Sequence, residues 1–193
     1  MDFTFNEEQS LIQGQVEQFI QRDYDWETRQ SFISSDLGFS SDNWKTFAEL
    51  GWLGISLSEE SGGFGGTSID TMIVMEEFGK GLVLEPFLET VVMCAGLIDM
   101  AGSPEQKKDI LTGVVEGKTQ LSLAYAEPQS RFNLSDVMTE AKKEGDNFIL
   151  NGFKSVVMNG PNSHQIIVSA RTSGDQRDES GVSLFIVDVN SSG

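Results

Sequence analysis

Residues 1–118 repeat one pattern: a small polar residue opens a run with apolar residues every third or fourth position, and glycine closes it. In NEEQSLIQGQVEQFIQRDY the residues Leu11, Ile12, Val16, Phe19 and Ile20 share one helical stripe. Asn6 is placed as the cap, with Glu7 and Glu8 in the first turn, where they favour the helix dipole. SSDNWKTFAELGW repeats the design with a Ser or Asp cap, then Trp44, Phe47, Ala48 and Leu50, and a stop at Gly51. TSIDTMIVMEEFGKG has a Thr or Ser start, the stripe Ile69, Met72, Ile73 and Phe78, and a glycine stop. EPFLETVVMCAGLIDMAG and SPEQKKDILTGVVEGK predict two more helices, the second opened by Ser103 with Pro104 at the first helical position.

From Thr119 the pattern becomes alternating. TQLSLAYA, VMTEAKKEG, NFILNG, FKSVVMNG, HQIIVSART and GVSLFIVDV are short, β-branched or alternating, and separated by Gly, Asn and Asp, so each predicts a strand. KKEGDNFILNGFKSVV reads as two successive hairpins, turning at Gly145-Asp146 and Asn151-Gly152. RTSGDQRDESG, residues 171–181, is composed like a long flexible hairpin loop. The predicted fold class is α+β, with an N-terminal all-helical domain over 1–118 followed by a partial antiparallel β domain over 119–193. The few strands make a poor closed sheet, so the β domain is expected to be incomplete.

Hydrophobic content of 38% and charged content of 22% are those of a globular chain. The net charge of −17 argues against nucleic acid and against anionic membrane surfaces, both of which would repel it. Cys94 is the sole cysteine, so no intramolecular disulfide forms, and its apolar helical setting predicts a buried inert thiol. MDFTFNEEQS has no basic region followed by an apolar one, and no apolar run approaches the roughly 18 residues of a membrane helix. A cytoplasmic location is the expectation.

The glycine cluster SEESGGFGGTS, residues 58–68, lacks the Lys after Gly66 that a phosphate-binding loop requires, and reads instead as a tight connection between closely approaching segments. His164 stands without ligand-type neighbours at metal spacing, and no G-x-S-x-G is present. Glu59-Glu60 and Glu76-Glu77 are adjacent pairs, expected on solvated faces. Two stretches remain, LSLAYAEPQSRFNLSDV and FKSVVMNG. Each places a strand end beside small or polar residues, where backbone N–H groups run out of sheet partners and can donate to a ligand.

The order LGWLGISLSEESGGFGGTSID, then LAYAEP…SD, then GDNFILNGFKSVVMNG resembles the acyl-CoA dehydrogenases over nearly the whole chain. The long EPQSRFNLSD turn resembles their pimeloyl-CoA dehydrogenase small-subunit type. The resemblance implies a helical N-terminal domain, a middle β domain and a C-terminal four-helix domain, the last expected to be absent here. It implies an FAD-dependent oxidoreductase of fatty acid metabolism, in which a carboxylate takes the α-proton of an acyl thioester and the flavin accepts the β-hydrogen as hydride. That carboxylate belongs to the C-terminal domain, so no catalytic residue is assigned in this chain.

The same resemblance implies flavin contacts at Leu123, Tyr125, Ala126, Ser135, Val156, Val157 and Met158, with Ser135 also at the substrate. Ala126 stands where the family carries threonine, Val156 where it carries tryptophan, and Met158 where it carries a second threonine, whereas Glu127-Pro128, Ser135-Asp136 and Asn159 are kept. The implied partners are an acyl-CoA substrate, an electron-transfer flavoprotein as acceptor, and further subunits of a homo- or hetero-oligomer. Two readings follow: a catalytic acyl-CoA dehydrogenase, or a non-catalytic partner subunit whose flavin site has degraded. Residues 1–193 by themselves are expected to hold little flavin. They are also expected to self-associate through uncovered Leu121, Leu123, Tyr125, Ile69, Met72 and Ile73.

Overall fold

The computed structural model describes residues 4–192; the first three residues of the N-terminal stretch and Gly193 lie outside the described residues. The chain divides after Thr119 into two compact units.

The first unit holds α1 (Glu7–Asp23), α2 (Trp26–Ile33), α3 (Ser41–Glu49) and α4 (Ser68–Gly81). A fifth helix runs over 88–101, π-form at Leu88–Ala95 and α-form at Gly96–Ala101. A sixth occupies 104–115 as Pro104–Gln106, a π segment Lys107–Leu111 and Thr112–Val115. The caps sit where the polar residues predict. Asn6 and Gln9 satisfy each other's backbone N–H, Ser40 accepts from Asn43 N–H, and Ser103 and Gln106 form a second reciprocal box. At α4 the cap is Thr67, bonded with Asp70. Helix α2 has no counterpart in the predicted pattern, because it buries none of its residues and so shows no apolar stripe.

The core of this unit is aromatic. Phe47 stacks on Phe78 at 4.9 Å and meets Phe19 and Trp52 at 5.3 and 5.2 Å. Two expectations change here. The left-handed residue ending α4 is Leu82 at φ 51 rather than a glycine. Gly81 is required for another reason: a Cβ there would lie 2.8 Å from Ile20 Cγ2, where α1 and α4 touch. Glu77 is buried rather than solvated, and accepts from Lys80 Nζ at 2.7 Å and Gln13 Nε2 at 3.0 Å.

The glycine cluster is a close-packed turn. Phe64, Gly65 and Gly66 N–H groups donate to the carbonyls of Gly54, Leu57 and Ile55, and a Cβ on Gly63 or Gly66 would fall 2.3 or 2.4 Å from a backbone oxygen.

The second unit is one mixed sheet of β1 (Leu121–Ala124), β2 (Glu140–Glu144), β3 (Asn147–Asn151), β4 (Gln165–Arg171) and β5 (Val182–Asp188). Central β4 pairs antiparallel with β5, from Gln165↔Asp188 to Arg171↔Val182. It pairs parallel with β1, from Leu121↔Gln165 to Ala124↔Val168. The expected antiparallel β domain is present as a mixed sheet: residues 125–164 leave β1, make the β2–β3 hairpin and return to the starting end, so β4 runs alongside β1 in the same direction. The Gly145-Asp146 hairpin forms as predicted. The second hairpin does not, because residues after Asn151 leave the sheet, and Gly152 passes so close to Thr139 that a Cβ would meet its Oγ1 at 2.5 Å.

Of the apolar side chains expected on the surface, Leu121 and Ile73 are core residues, Leu123 is half-buried, and Ile69, Met72 and Tyr125 are exposed.

Candidate functional site

Strand β1 stops pairing at Ala124, so Tyr125 and Ala126 project past its last partnered residue. The acid that follows is locked. Glu127 is 4% exposed and both of its oxygens are occupied. Lys154 Nζ and Thr139 N–H donate to Oε1 at 2.7 and 3.0 Å, while Gln129 Nε2 and Met138 N–H donate to Oε2 at 2.7 and 2.8 Å. Burial pushes this carboxyl up, but the hydrogen bonds from Lys154, Gln129, Thr139 and Met138 outweigh it and hold the group down at about 2. A carboxylate so occupied is a structural anion and not a proton acceptor.

Lys154 lies in FKSVVMNG, the segment predicted as a strand. It forms no strand. Its buried ammonium also reaches Ser169 Oγ at 3.0 Å, and the next residue, Ser155, donates its N–H to the Ala126 carbonyl at 2.9 Å. Val156 then adopts φ 52, a left-handed conformation that β-branched residues avoid. Among the described residues, the backbone N–H groups of Ala126, Val156, Val157 and Met158 have no protein acceptor. The structure therefore joins two of the predicted segments, 126 and 156–158, through Ser155, and leaves a row of backbone donors beside the exposed side chains of Tyr125, Val156 and Met158.

Ser135 is held separately. Its carbonyl accepts from Arg171 Nη2 at 2.7 Å, and Arg171, at the end of β4, also donates to the carbonyls of Val137, Ser173, Gln176, Asp178 and Ser180. Neighbouring Asp136 accepts from Gln176 Nε2 at 2.6 Å and Arg177 Nε at 2.7 Å, which hold it below the usual carboxylate range. The 171–181 loop is thus tied down at several carbonyls rather than loose. No hydrogen bond links Ser135 to Ala126 or to 156–158 among the described residues. Leu123 lies half-buried within β1.

Lys154 and Arg171 escape sequence reasoning. The available signal is a single basic residue in each of two apolar runs, FKSVV and IIVSAR, with the acid Glu127 just past a third. Elsewhere, His164 is exposed and its Nδ1 accepts from Gln120 N–H at 3.1 Å. Burial pushes the Cys94 thiol up to about 12, so it stays protonated. No group of three His, Cys, Asp or Glu side chains is arranged for a metal among the described residues. No described helix is long and apolar enough to cross a membrane.

Known proteins are similar to both units. Residues 6–118 match the family "Acyl-CoA dehydrogenase, N-terminal domain" and residues 122–193 match "Acyl-CoA dehydrogenase, middle domain". The chain is 35% identical to mitochondrial isobutyryl-CoA dehydrogenase of Dictyostelium discoideum, over 80% of this chain and 37% of that protein. It is 28% identical to the short-chain specific acyl-CoA dehydrogenase of Clostridium acetobutylicum, over 97% of this chain and 49% of that one. Among solved structures, the ChsE4-ChsE5 complex of Mycobacterium tuberculosis superposes with a TM-score of 0.86 at 25% identity, covering 98% of this chain and 49% of that one. The FAD complex of PigA superposes at 0.87 with 27% identity, covering 98% and 50%. The chain spans about half the length, or less, of the relatives it matches. With both of its units matched in order, the chain belongs to the acyl-CoA dehydrogenase family.

Proposed function

We propose that this chain contributes the FAD-binding edge of an enzyme that dehydrogenates an acyl-CoA thioester between its α and β carbons. The observation that carries this reading is the row of unpaired backbone donors at Ala126 and Val156–Met158, gathered by the Ser155–Ala126 hydrogen bond. Such a row fits the polar edge of a flavin ring. The chemistry the flavin supplies when bound is acceptance of a hydride. Ala126, Val157 and Met158 would hold the ring by their N–H groups, Leu123 and Tyr125 would line it, and the Ser135 hydroxyl would serve cofactor and substrate. Glu127 and Asp136 are committed to hydrogen bonds, and the proton-abstracting carboxylate, as the family resemblance implies, would come from outside these two units. An electron-transfer flavoprotein is the acceptor, the assembly is oligomeric, and the setting is cytoplasmic.

A second reading rests on a specific observation, the side chains on that edge. Alanine at 126, valine at 156 and methionine at 158 supply no hydroxyl and no indole. At about 1 kcal/mol per lost hydrogen bond, flavin binding is weakened by roughly one to two orders of magnitude. A chain so weakened suits the partner subunit of a heteromer, in which another subunit carries the working flavin.

One experiment addresses both. FAD is titrated into the intact protein and into the A126T/M158T variant, with bound flavin read from its visible absorbance. The double variant binds FAD roughly ten- to a hundredfold more tightly. Weak but saturable binding by the natural sequence supports the catalytic reading. Binding by the variant alone supports the partner-subunit reading, and no binding by either overturns the assignment of this edge.

A further inference from the structure

Val156 holds a backbone conformation that its own side chain opposes. At φ 52 a β-branched residue is strained, and with 77% of it exposed, packing does not hold it there. The residues on either side do. Lys154 is tied to Glu127 Oε1 at 2.7 Å and to Ser169 Oγ at 3.0 Å, and Ser155 N–H to the Ala126 carbonyl at 2.9 Å. The ion pair is withdrawn from water, its side chains 8% and 2% exposed, so water competes little for either partner and breaking it strands a buried charge. On the far side, the Val157 carbonyl accepts from Gly160 N–H at 3.1 Å, and Asn159, itself at φ 57, reaches Gln120 Oε1 at 3.4 Å.

The same stretch reads in sequence as a strand, FKSVVMNG. Extended, it would spend its N–H groups on sheet pairing. Held as it is, it leaves them unpaired.

We propose that the buried Glu127–Lys154 ion pair is a positioning device that forces Val156 into the left-handed conformation and so keeps the 156–158 N–H groups out of the sheet and open to a ligand. It rests on the flavin reading above only for the identity of that ligand. Lys154 and Glu127 act through the backbone and are positioning residues rather than catalytic ones.

Four forms of the intact protein test it: wild type, K154M, V156G and K154M/V156G. If the clamp imposes the strain, V156G raises the thermal midpoint by about 2–5 °C in the natural background and gives no rise on K154M, where Val156 has already relaxed. Additive shifts overturn the proposal. Hydrogen exchange gives an independent readout: K154M speeds exchange in a peptide covering 150–160 by about tenfold or more and leaves a peptide covering β5 unchanged. Unaltered exchange at 150–160 also overturns it. Should K154M fail to fold, S169A removes one Lys154 hydrogen bond and gives the same non-additivity with V156G at smaller amplitude. Where FAD binds, K154M weakens it about tenfold and K154R restores most of the loss. Absence of FAD binding in the wild type counts against the flavin reading alone, since the midpoint cycle decides the clamp without it.

Discussion

Leu82 ends α4 at φ 51, a left-handed position that glycine fills without strain, and its side chain is 56% exposed. Little packing is lost on truncation, so Leu82→Gly stabilises the first unit by about 1 kcal/mol. Gly66 is the reverse case. A Cβ there would lie 2.4 Å from the Ile55 carbonyl oxygen, to which Gly66 N–H also donates at 2.9 Å, so backbone and not a movable side chain must give way. Gly66→Ala destabilises by about 1–3 kcal/mol. Urea midpoints at unchanged slope check both; shifts of the same sign would show that backbone conformation at these two sites is not what limits stability.

At the scale of the element, two buried carboxylates respond to pH in opposite directions. Glu85, 5% exposed, joins the α1–α2 turn and the α3 cap through Tyr24 Oη at 2.8 Å and through Ser40 N–H and Asn43 Nδ2, each at 3.2 Å. Burial raises its carboxyl despite these bonds, so its contribution is fully present below the usual glutamate range and is lost as pH rises through the raised folded value. Glu127 is held down at about 2, so its contribution is present above the usual range and is lost as pH falls toward 2. A shift of that size corresponds to on the order of 3 kcal/mol. E127Q therefore destabilises the second unit at neutral pH and has little effect near pH 2, whereas E85Q gains on wild type as pH rises through and above the usual glutamate range. All three tryptophans lie in residues 26–52, so tryptophan emission isolates the first unit and far-ultraviolet dichroism adds the second.

The same elements show what the sequence makes legible. Helices with a cap and a buried stripe are readable, and so are strands bounded by glycine or asparagine turns. Helix α2 and the 152–158 segment are not, and the reasons are physical. The first buries nothing, and the second is taken from the strand its residues favour by an ion pair to Glu127, far away in sequence. The parallel β1–β4 pairing is equally non-local. The family resemblance singles out Ala126 and 156–158, which the structure joins through Ser155, whereas Lys154 and Arg171 are illegible, because their roles depend on which carbonyls and carboxylates the fold brings to them.

On the scale of the whole molecule, a net charge of −17 opposes self-association while exposed apolar side chains favour it. Ile69 at 46% and Met72 at 48% in the first unit, and Val156 at 77% and Met158 at 59% in the second, remain in contact with water. Raising salt from roughly 0.05 M to roughly 0.5 M shortens charge repulsion several-fold and leaves apolar burial in place. The 193-residue chain therefore sediments as a larger species at the higher salt; a single monomeric boundary at both would show that these side chains are too scattered to bind. The parallel pairing of β1 with β4 also sets an order of events. Strand β1 has no partner until residues 125–164 have been made and closed into a loop. During synthesis that amounts to roughly 2–8 s in which the fully buried Leu121 has nowhere to go. The nascent chain is most exposed to aggregation in this interval, and slow codons between 125 and 164 would lengthen it while leaving the finished structure unchanged.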